Sequence, residues 1–456
     1  MLTNFSPEHK SAAVYLDLAA NAHGEEKGSM VLRALSRTNR GRPHVVEIGP
    51  GGGAAVAYLA QQLGDQCPSR PIDLTLVEAP GVTSESLRQA IDQFGHIGAC
   101  TVLESFAQNL AGLITAPVDV ISASSLLHEM YSYSGGYSGL HAMIRVLSEV
   151  LNPYGFVAYR DVYAVEAASL HERVTQSYTA PSWLRFLRLF LPHYLNNGVH
   201  PYHHADDQVV IRQNSAITSA SDLDITTTAV ITAPIGVFRE VQRHYITARD
   251  HLWRSGTLGI RPVLEGQLAS DWLDRRSGHK RVHYALTDAE AMPEDQALLL
   301  RAMSEPFADH FVICGDVFDS VTDVAVTSAL ASAETDSAHN AWEGWLAREG
   351  TETYAYLTLS ELITAFAENS VESGSILLPV EPDDISRVDR DYYNRFLARQ
   401  LPNPLPDAKQ LVLFQLIPLR DVATIRRAVD TIQRVCSKDA LARIYTAING
   451  GQRPCP

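Results

Sequence analysis

The segment His44–Ala55, HVVEIGPGGGAA, joins a short apolar run to a cluster of glycines. It predicts a buried parallel strand over His44–Ile48, a tight turn over Gly49–Gly53 and a helix that begins near Ala54. Glycines suit this turn because the backbone must bend sharply and a ligand can approach where no Cβ stands. The start of the helix offers free N–H groups behind the turn. The segment therefore predicts a ligand site at the end of this strand.

Three later segments extend the pattern. IDLTLVE, Ile72–Glu78, predicts a second strand that ends in a carboxylate suited to a ribose diol. VDVISAS, Val118–Ser124, predicts an apolar strand on the other side of the crevice, and LNPYGFVAYRD, Leu151–Asp161, predicts a turn that leads into a further strand. Strands that alternate with helices form a parallel sheet, and ligands bind at the carboxyl ends of its strands.

This succession resembles a class I, Rossmann-like S-adenosylmethionine-dependent methyltransferase. The resemblance rests on VEIGPGGG for the glycine loop, LTLVEAP for the ribose carboxylate and LNPYGFVAYRD for the "LxPGG" strand entry, where Tyr154 replaces the usual first glycine. It covers roughly the first third of the chain. The glycine loop departs from the G-x-G-x-x-G fingerprint of dehydrogenases, and a nicotinamide enzyme remains the alternative.

The resemblance implies an α/β fold with a doubly wound, mostly parallel seven-stranded sheet, to which this chain adds a large, mainly helical insertion and a helical tail. Thr358 and Glu361 form a capping-box pattern that predicts the start of the last core helix. Two β-like runs, Ser373–Glu381 and Lys409–Pro418, then close the sheet, the final strand being antiparallel.

A chain of 456 residues is too long for one typical domain. We expect residues 1–165 to form the first part of the methyltransferase core, with N-terminal helices over Ser6–Ala22 and Met30–Ser36 and strands 1–5. Residues 166–350 form the insertion, which shapes or covers the acceptor site. Residues 351–418 supply the last helix and strands 6 and 7, and residues 419–456 form the tail.

The resemblance also implies S-adenosyl-L-methionine as the cofactor and S-adenosyl-L-homocysteine as the product. In the resembled family the glycine loop and the neighbouring strand ends hold the cofactor, and a polar residue after the third strand often contacts the adenine amine. The positions that match in this chain are Glu47, Gly49, Gly51, Gly53, Glu78, Ala79, Glu104, Ser105, Phe106, Ser124 and Ser125.

The stretch SSLLHEMYSY, Ser124–Tyr133, follows the fourth predicted strand. In the resembled family the residues here touch the methionine part of the cofactor and face the acceptor, which implies a substrate-binding role for Tyr131 and Tyr133. An imidazole can take a proton from a hydroxyl or an amine, so His128 is the first candidate for a catalytic base. The alternative for His128 is simple packing under the next loop.

Glu129 and Asp161 are the next catalytic candidates. Adjacent residues of a helix do not share a face, so we expect His128 and Glu129 not to form a dyad with each other. Asp161 ends the fifth predicted strand and points into the crevice by the strand-end rule. Its alternatives are an ion pair with Arg160 and a cap on the following helix.

The composition narrows the classes of partner. A net charge of −15 argues against a non-specific nucleic-acid binder, and no apolar stretch is long enough to span a membrane. Five scattered cysteines without a C-x-x-C pair indicate reduced thiols. The N-terminus lacks the pattern of a signal peptide, so we expect a cytoplasmic protein.

VHPYHHADD, Val199–Asp207, gathers possible metal ligands, but its spacing favours a surface loop and we predict no metal site.

The expected function is O- or N-methylation of a small-molecule or peptide-like acceptor, with specialised metabolism as one setting. One alternative is an RNA or protein methyltransferase, which would need a basic groove built from Arg239, Arg243, Arg249 and Arg254. The other is a non-catalytic partner subunit that binds S-adenosylmethionine. A homodimer is compatible with the sequence.

Overall fold

The computed structural model describes residues 24–65, 71–82, 84–161, 165, 167–263, 273–274, 281–288, 291–332, 337–371 and 374–451. The helix predicted over Ser6–Ala22 lies outside these residues. The described helices are α1 (Gly24–Arg37), α2 (Ala54–Asp65), α3 (Glu85–Phe94), α4 (Leu110–Leu113), α5 (Leu127–Tyr133), α6 (Tyr137–Val150), α7 (Pro181–Asn197), α8 (Ile235–Arg254), α9 (Glu294–Met303), α10 (Gly315–Ser332), α11 (Ser337–Trp345), α12 (Leu359–Ser370), α13 (Asp391–Gln400), α14 (Val422–Ile432) and α15 (Lys438–Gly451).

The described residues also form seventeen strands. They are β1 (His44–Ile48), β2 (Asp73–Glu78), β3 (Cys100–Glu104), β4 (Val118–Ser124), β5 (Leu151–Asp161), β6 (Arg173–Tyr178), β7 (Val210–Gln213), β8 (Ala216–Thr218), β9 (Ala229–Pro234), β10 (Ile260–Pro262), β11 (Leu273–Asp274), β12 (Arg281–Leu286), β13 (Glu305–Phe307), β14 (His310–Cys314), β15 (Ser375–Leu378), β16 (Ile385–Asp389) and β17 (Ala408–Pro418).

The chain divides into two compact units. Within the described residues, the first unit takes in the chain up to Leu170, Ala355–Val388 and the chain from Ala408 onward. The second unit consists of His171–Tyr354 and Asp389–Asp407. These bounds differ from the predicted division in two ways: residues 389–407 belong with the insertion, and the tail belongs to the core.

The first unit is built on one large sheet with the strand order β15-β17-β5-β4-β1-β2-β3. Strands β1 to β5 pair in parallel, β17 pairs antiparallel with β5, and β15 pairs antiparallel with β17. This order confirms the predicted doubly wound, mostly parallel fold of the class I methyltransferase type. Strand β16 pairs with β17 as an addition to the seven strands of this order.

Alternation along the strands creates a core on each face of this sheet. Val46 and Ile48 contribute to a cluster with residues of α5, α6 and α12, whereas Val45 belongs to a second cluster with residues of α1, α2 and α3. Successive side chains of a strand point to opposite faces, so a strand buried on both faces reads as a continuous apolar run. This explains why most residues of β1 and β4 are apolar.

Tyr154 explains the departure from the expected "LxPGG" motif. Its φ angle is 65°, in the left-handed region that favours glycine. The side chain is exposed, and its hydroxyl donates to the carboxylate of Asp421 at 3.2 Å. The amide of Gln415 on β17 donates to the Tyr154 carbonyl. The turn thus keeps the conformation of the motif with a tyrosine that its neighbours hold in place.

The last part of the first unit also follows from local sequence. Thr358 caps α12: its hydroxyl accepts from the N–H of Glu361, whose carboxylate accepts in return from the N–H of Thr358. The tail helices α14 and α15 bury Ile425, Ile432 and Ile444 in the same core cluster as α12. The tail therefore completes the core of the first unit instead of forming a separate part.

The second unit contains two antiparallel sheets that the sequence interpretation missed. One has the order β10-β12-β14-β13 with β11 beside β12, and the other has the order β6-β9-β7-β8. The sequence of residues 174–195 is typical of one or two helices broken at Pro181 and Pro192, and the structure confirms a helix only for its second part. Residues 173–178 form β6, while α7 begins at Pro181 and runs through Pro192.

The interior of the second unit is aromatic and ionic. Trp183 stacks on Tyr245 with ring centroids 3.9 Å apart. Charged residues interleaved along a helix, as in α8, are typical of a solvated face, but Arg249 is buried and donates to Asp319 on α10. Charges are buried here because they are paired. No helix in the described part of the chain is long and apolar enough to cross a membrane.

Candidate functional site

The glycine loop after β1 depends on backbone conformations that other residues rarely adopt. Gly49, Gly51 and Gly53 have φ angles of 67°, 54° and 77°. The N–H of Gly49 donates to the carbonyl of Val77 at 2.9 Å, which ties the loop to the end of β2. A Cβ on Gly53 would lie 2.9 Å from the Cα of Leu87, so this glycine allows α3 to pack closely.

Glu78, the last residue of β2, closes onto this loop. Its Oε2 accepts from the N–H of Gly51 at 3.0 Å, and its Oε1 accepts from the N–H of Ala79 at 2.8 Å. Burial raises the pKa of Glu78, the two N–H donors oppose this effect, and the negative charge of Glu129 adds to it. The predicted ribose carboxylate therefore lies directly against the predicted cofactor loop.

Glu47 is a buried carboxyl in the middle of the sheet. Burial raises its pKa to about 7, the positive charge of Lys27 on α1 opposes this, and the charge of Glu78 adds to it. Burial and the nearby Arg160 lower the pKa of Lys27 to about 8. The Oε2 of Glu47 has no hydrogen-bond partner among the described residues. A buried, unpartnered carboxyl oxygen is costly and suits a site that a polar ligand completes.

Two serines of β4 lie on the same face of the sheet as Glu47. Ser122 pairs in register with Glu47, and Ser124 follows two positions later. Within the described chain, the buried hydroxyl oxygens of Ser122 and Ser124 also lack a hydrogen-bond partner. These serines and Glu47 therefore form a set of unsatisfied polar atoms toward the carboxyl ends of β1 and β4.

Ser125 connects this set to β5. Its φ angle is 56°, its N–H donates to the carbonyl of Arg160, and its hydroxyl accepts from the guanidinium of Arg160 at 3.0 Å. The same guanidinium donates to Glu26 on α1 at 2.6 Å. Ser125 is thus held by the protein in a conformation that is uncommon for a residue with a side chain.

The end of β3 lies next to Glu78. The N–H of Ser105 donates to the Glu78 carbonyl at 2.8 Å, and Glu104 pairs in register with Glu78. Glu104 is exposed, whereas Ser105 and Phe106 are half-buried. The three candidates for adenine recognition therefore follow the strand beside the ribose carboxylate, and their contact with adenine stays a prediction.

His128 and Asp161 form a buried pair. The Nδ1 of His128 lies 2.8 Å from Oδ1 of Asp161, and the backbone N–H of His128 donates to Oδ2 at 3.1 Å. An ionised carboxylate only accepts hydrogen bonds, so this contact places the proton of the neutral ring on Nδ1 and the lone pair on Nε2. This is the arrangement of a general base whose orientation a carboxylate fixes.

Arg160 and Asp161 are adjacent but point to opposite faces of the sheet. Arg160 bonds to Ser125 and Glu26, whereas Asp161 bonds to His128. Each of these two side chains is therefore held by other residues, and not by the ion pair between them that was one alternative. Asp161 does contact the start of a helix, but this helix is α5, which precedes it in the chain, and not the following helix of the alternative.

The other residues of α5 surround this pair. The carboxylate of Glu129 lies within 4.8 Å of a ring nitrogen of His128, and its charge acts on Glu78. Tyr131 and Tyr133 are buried, and Tyr131 stacks on Tyr356 with centroids 5.6 Å apart. Substrate binding by these two tyrosines stays a prediction.

Sequence reasoning did not find Lys27, Arg160, Tyr159 or Tyr356 as parts of the site. Tyr159 and Arg160 were within the quoted motif of β5, and strand alternation alone would have placed them on opposite faces. Lys27 and Tyr356 carry no local signal, because they reach the site only through packing. In the histidine-rich loop of the second unit, both ring nitrogens of His200 contact the backbone, at Leu195 and Tyr202.

No protein-family model matches the chain, and no curated protein matches it in sequence. Solved structures match part of it. They include the YcgJ protein from Bacillus subtilis (18% identity, 30% of this chain and 52% of that chain, TM-score 0.23). Also matched are the CcbJ methyltransferase from Streptomyces caelestis (17%, 34% and 59%, 0.24) and the N-methyltransferase NodS from Bradyrhizobium japonicum in complex with S-adenosyl-L-homocysteine (10%, 46% and 85%, 0.23).

The chain spans about half of the length of the first structures that it matches. Several of the matched structures are described as methyltransferases. The TM-scores of these structures are at most 0.25, so the fold assignment rests on the strand order described above and the functional assignment on the geometry of the site.

Proposed function

We propose that the chain is an S-adenosylmethionine-dependent methyltransferase that acts on a hydroxyl or amine of a small-molecule or peptide-like acceptor. The observation that carries the proposal is the contact between the Glu78 carboxylate and the Gly51 N–H at the carboxyl ends of β1 and β2. In a doubly wound sheet this is the place where a nucleoside is bound, and a carboxylate there suits its ribose hydroxyls.

The residues present fit a polar cationic cofactor. Glu78 supplies two carboxylate oxygens at the loop, and a Cβ on Gly49 would meet nothing within 4 Å, so ligand atoms can approach the backbone there. Glu47, Ser122 and Ser124 supply polar oxygens that lack partners in the described part of the chain. We assign the ribose to Glu78 and the methionine portion to the side of Glu47 and β4.

When bound, S-adenosylmethionine supplies a methyl group on a sulfonium sulfur, and this sulfur needs no acid because it leaves as a neutral thioether. The acceptor loses a proton as it gains the methyl group, and we assign that proton to Nε2 of His128. Asp161 keeps the other nitrogen protonated and stabilises the imidazolium that forms. The rest of the acceleration comes from holding the reactants in line.

The second unit favours a small acceptor over a nucleic acid. Arg239 and Arg249 are buried, the first donating to the carbonyl of Pro406 and the second to Asp319. Arg254 lies 3.7 Å from Asp250. Buried side chains that already bond to internal carboxylates and carbonyls are not available to bind phosphates, so Arg239 and Arg249 do not contribute to the groove that the RNA alternative requires.

Calorimetric titration of the purified protein with S-adenosylmethionine and with S-adenosylhomocysteine tests the proposal, after mass spectrometry of any ligand that co-purifies. We expect both compounds to bind with one-to-one stoichiometry. A folded protein that binds neither compound would contradict the proposal, and so would a co-purified nicotinamide or flavin. Binding without transfer to any acceptor would instead support the non-catalytic partner subunit.

A further inference from the structure

Two buried tyrosines stand behind Asp161. The hydroxyl of Tyr356 donates to Oδ2 of Asp161 at 3.3 Å, and the hydroxyl of Tyr159 lies 3.0 Å from that of Tyr356. A hydroxyl has one proton, and Tyr356 directs its proton to Asp161. Tyr159 must therefore donate to Tyr356, which gives the chain of hydrogen bonds one direction, ending on the carboxylate.

Both hydroxyls stay protonated where a histidine titrates. Each tyrosine is 1% exposed. Burial raises the pKa of Tyr356 well above its usual value, and the negative charge of Asp161 raises it further. The same two causes raise the pKa of Tyr159. The pair therefore acts on Asp161 as a permanent donor and not as a second base.

The position of Tyr356 is fixed by contacts on several sides. Its ring stacks on Tyr131 of α5, the helix that also carries His128. Its carbonyl accepts from the hydroxyl of Tyr137 at 2.8 Å. The next residue, Leu357, accepts through its carbonyl from the N–H of Val165, just beyond β5. Tyr356 is thus fastened to both elements that supply the His128–Asp161 pair.

We propose that Tyr356, supported by Tyr159, is a positioning residue that holds Asp161 in the orientation facing Nδ1 of His128. This inference rests on the proposed role of His128 as a base. Without the tyrosine hydroxyl, Oδ2 keeps its contact with the His128 N–H but loses the donor that fixes the plane of the carboxylate. The hydrogen bond from Nδ1 to Oδ1 is then less well held.

The test is nitrogen-15 NMR of histidine-labelled protein, and it needs neither cofactor nor acceptor. The Nδ1–H signal of His128 is assigned by its loss in His128→Asn. In Tyr356→Phe we expect this proton to exchange with water about tenfold faster, the size of effect produced by losing one hydrogen bond to a charged group. Tyr159→Phe should show a smaller change in the same direction.

Tyr154→Phe is the matched control. It removes a tyrosine hydroxyl of the first unit that also donates to a carboxylate, that of Asp421 instead of Asp161, so its His128 signal should equal that of the wild type. If Tyr356→Phe lowers the free energy of unfolding while the folded-state signal of His128 stays unchanged, the residue is only structural and the inference is wrong. An equal change in all three phenylalanine variants would overturn it as well.

The same variants separate this inference from the proposed function. Titration with S-adenosylmethionine should give the wild-type affinity in Tyr356→Phe, because the tyrosine lies on the face of the sheet opposite Glu47. A protein that binds no cofactor but shows the graded NMR changes would refute the methyltransferase proposal and keep the positioning role. A protein that binds the cofactor but does not show those NMR changes would support the methyltransferase proposal and refute the positioning role.

Discussion

The two sides of the crevice are constructed differently. At the ends of β1 and β2 the essential contact joins a backbone N–H, that of Gly51, to Glu78, only 27 positions later. At the ends of β4 and β5 the contacts join side chains: His128 to Asp161, 33 positions later, and Asp161 to Tyr356, 195 positions later. The side at β1 and β2 depends on the backbone conformation of the glycine loop, and the side at β4 and β5 depends on the packing of side chains.

This difference determines how each side fails. A site made of backbone is disturbed by added atoms, because its geometry exists only where no Cβ stands. A site made of side chains is disturbed by removed atoms, because each group is oriented by the next one. The substitutions below test whether the two sides can be damaged independently.

Gly51→Val should have the largest effect and abolish detectable binding of S-adenosylmethionine. A β-branched residue does not adopt the φ angle of 54° found at Gly51, so the loop must change shape and withdraw its N–H from Glu78. Calorimetric titration measures the loss. Gly374→Val is the matched control, since Gly374 has a φ angle of 74° with open space around it, away from the crevice. Wild-type affinity for S-adenosylmethionine in a folded Gly51→Val protein would show that the glycine loop does not form the cofactor site.

His128→Ala should lower methyl transfer about 100-fold to 10,000-fold, the usual contribution of a general base, and leave cofactor affinity nearly unchanged. Single-turnover transfer to whichever acceptor the wild type methylates measures the first quantity, and titration measures the second. His96→Ala, an exposed histidine of the same unit, is the control. Parallel losses of turnover and affinity would make His128 structural and erase the distinction between the two sides.

Glu78→Ala should weaken cofactor binding about 10-fold to 100-fold, because hydrogen bonds to a charged group each contribute about 1.5–3 kcal/mol. Titration with S-adenosylhomocysteine measures this loss without a reaction. Glu85→Ala, an exposed glutamate in the first turn of α3, should leave the affinity unchanged. If Glu78→Ala binds like the wild type, the ribose does not lie against this carboxylate.

Glu47→Gln should have the smallest effect, on stability and its pH dependence. The folded pKa of Glu47 is about 7 against an ordinary value of 4.5, so the folded chain holds this proton more tightly than the unfolded chain. The stability that the protonated group contributes is lost as the pH rises through about 7. A pKa difference of about 2.5 corresponds to at most about 3 to 4 kcal/mol.

Glutamine imitates the protonated carboxyl, so the variant should gain stability relative to the wild type between about pH 5 and pH 7.5. This range ends below about 8, where Lys27 releases its own proton. Urea unfolding at both pH values measures the gain, with Glu149→Gln, an exposed glutamate of α6, as the control. A constant difference between wild type and Glu47→Gln at the two pH values would show that Glu47 is ionised throughout.

What could be predicted from the sequence follows the same division. The glycine loop, Glu78 and the capping box of α12 depend on residues close along the chain, and their patterns were sufficient. The bond from Arg160 to Glu26 spans 134 positions, and that from Tyr356 to Asp161 spans 195, so only the folded chain reveals them. In the second unit, the sequence of β6 resembles that of a helix because the aromatic run of α7 follows within three residues. The burial of Arg249 on α8 could not be predicted because its partner, Asp319, lies 70 positions later on α10.

The return of the chain to the first unit at Ala355 has a consequence for biosynthesis. At about 5–20 residues per second, the ribosome adds Tyr356 about 10–40 s after Asp161. Gly51 and Glu78 are both synthesised before that interval begins. The growing chain can therefore close its cofactor loop early, while the His128–Asp161 pair gains the hydrogen bond from Tyr356 only after residues 171–354 have been translated. The order of the residues along the chain therefore determines which side of the crevice can form first.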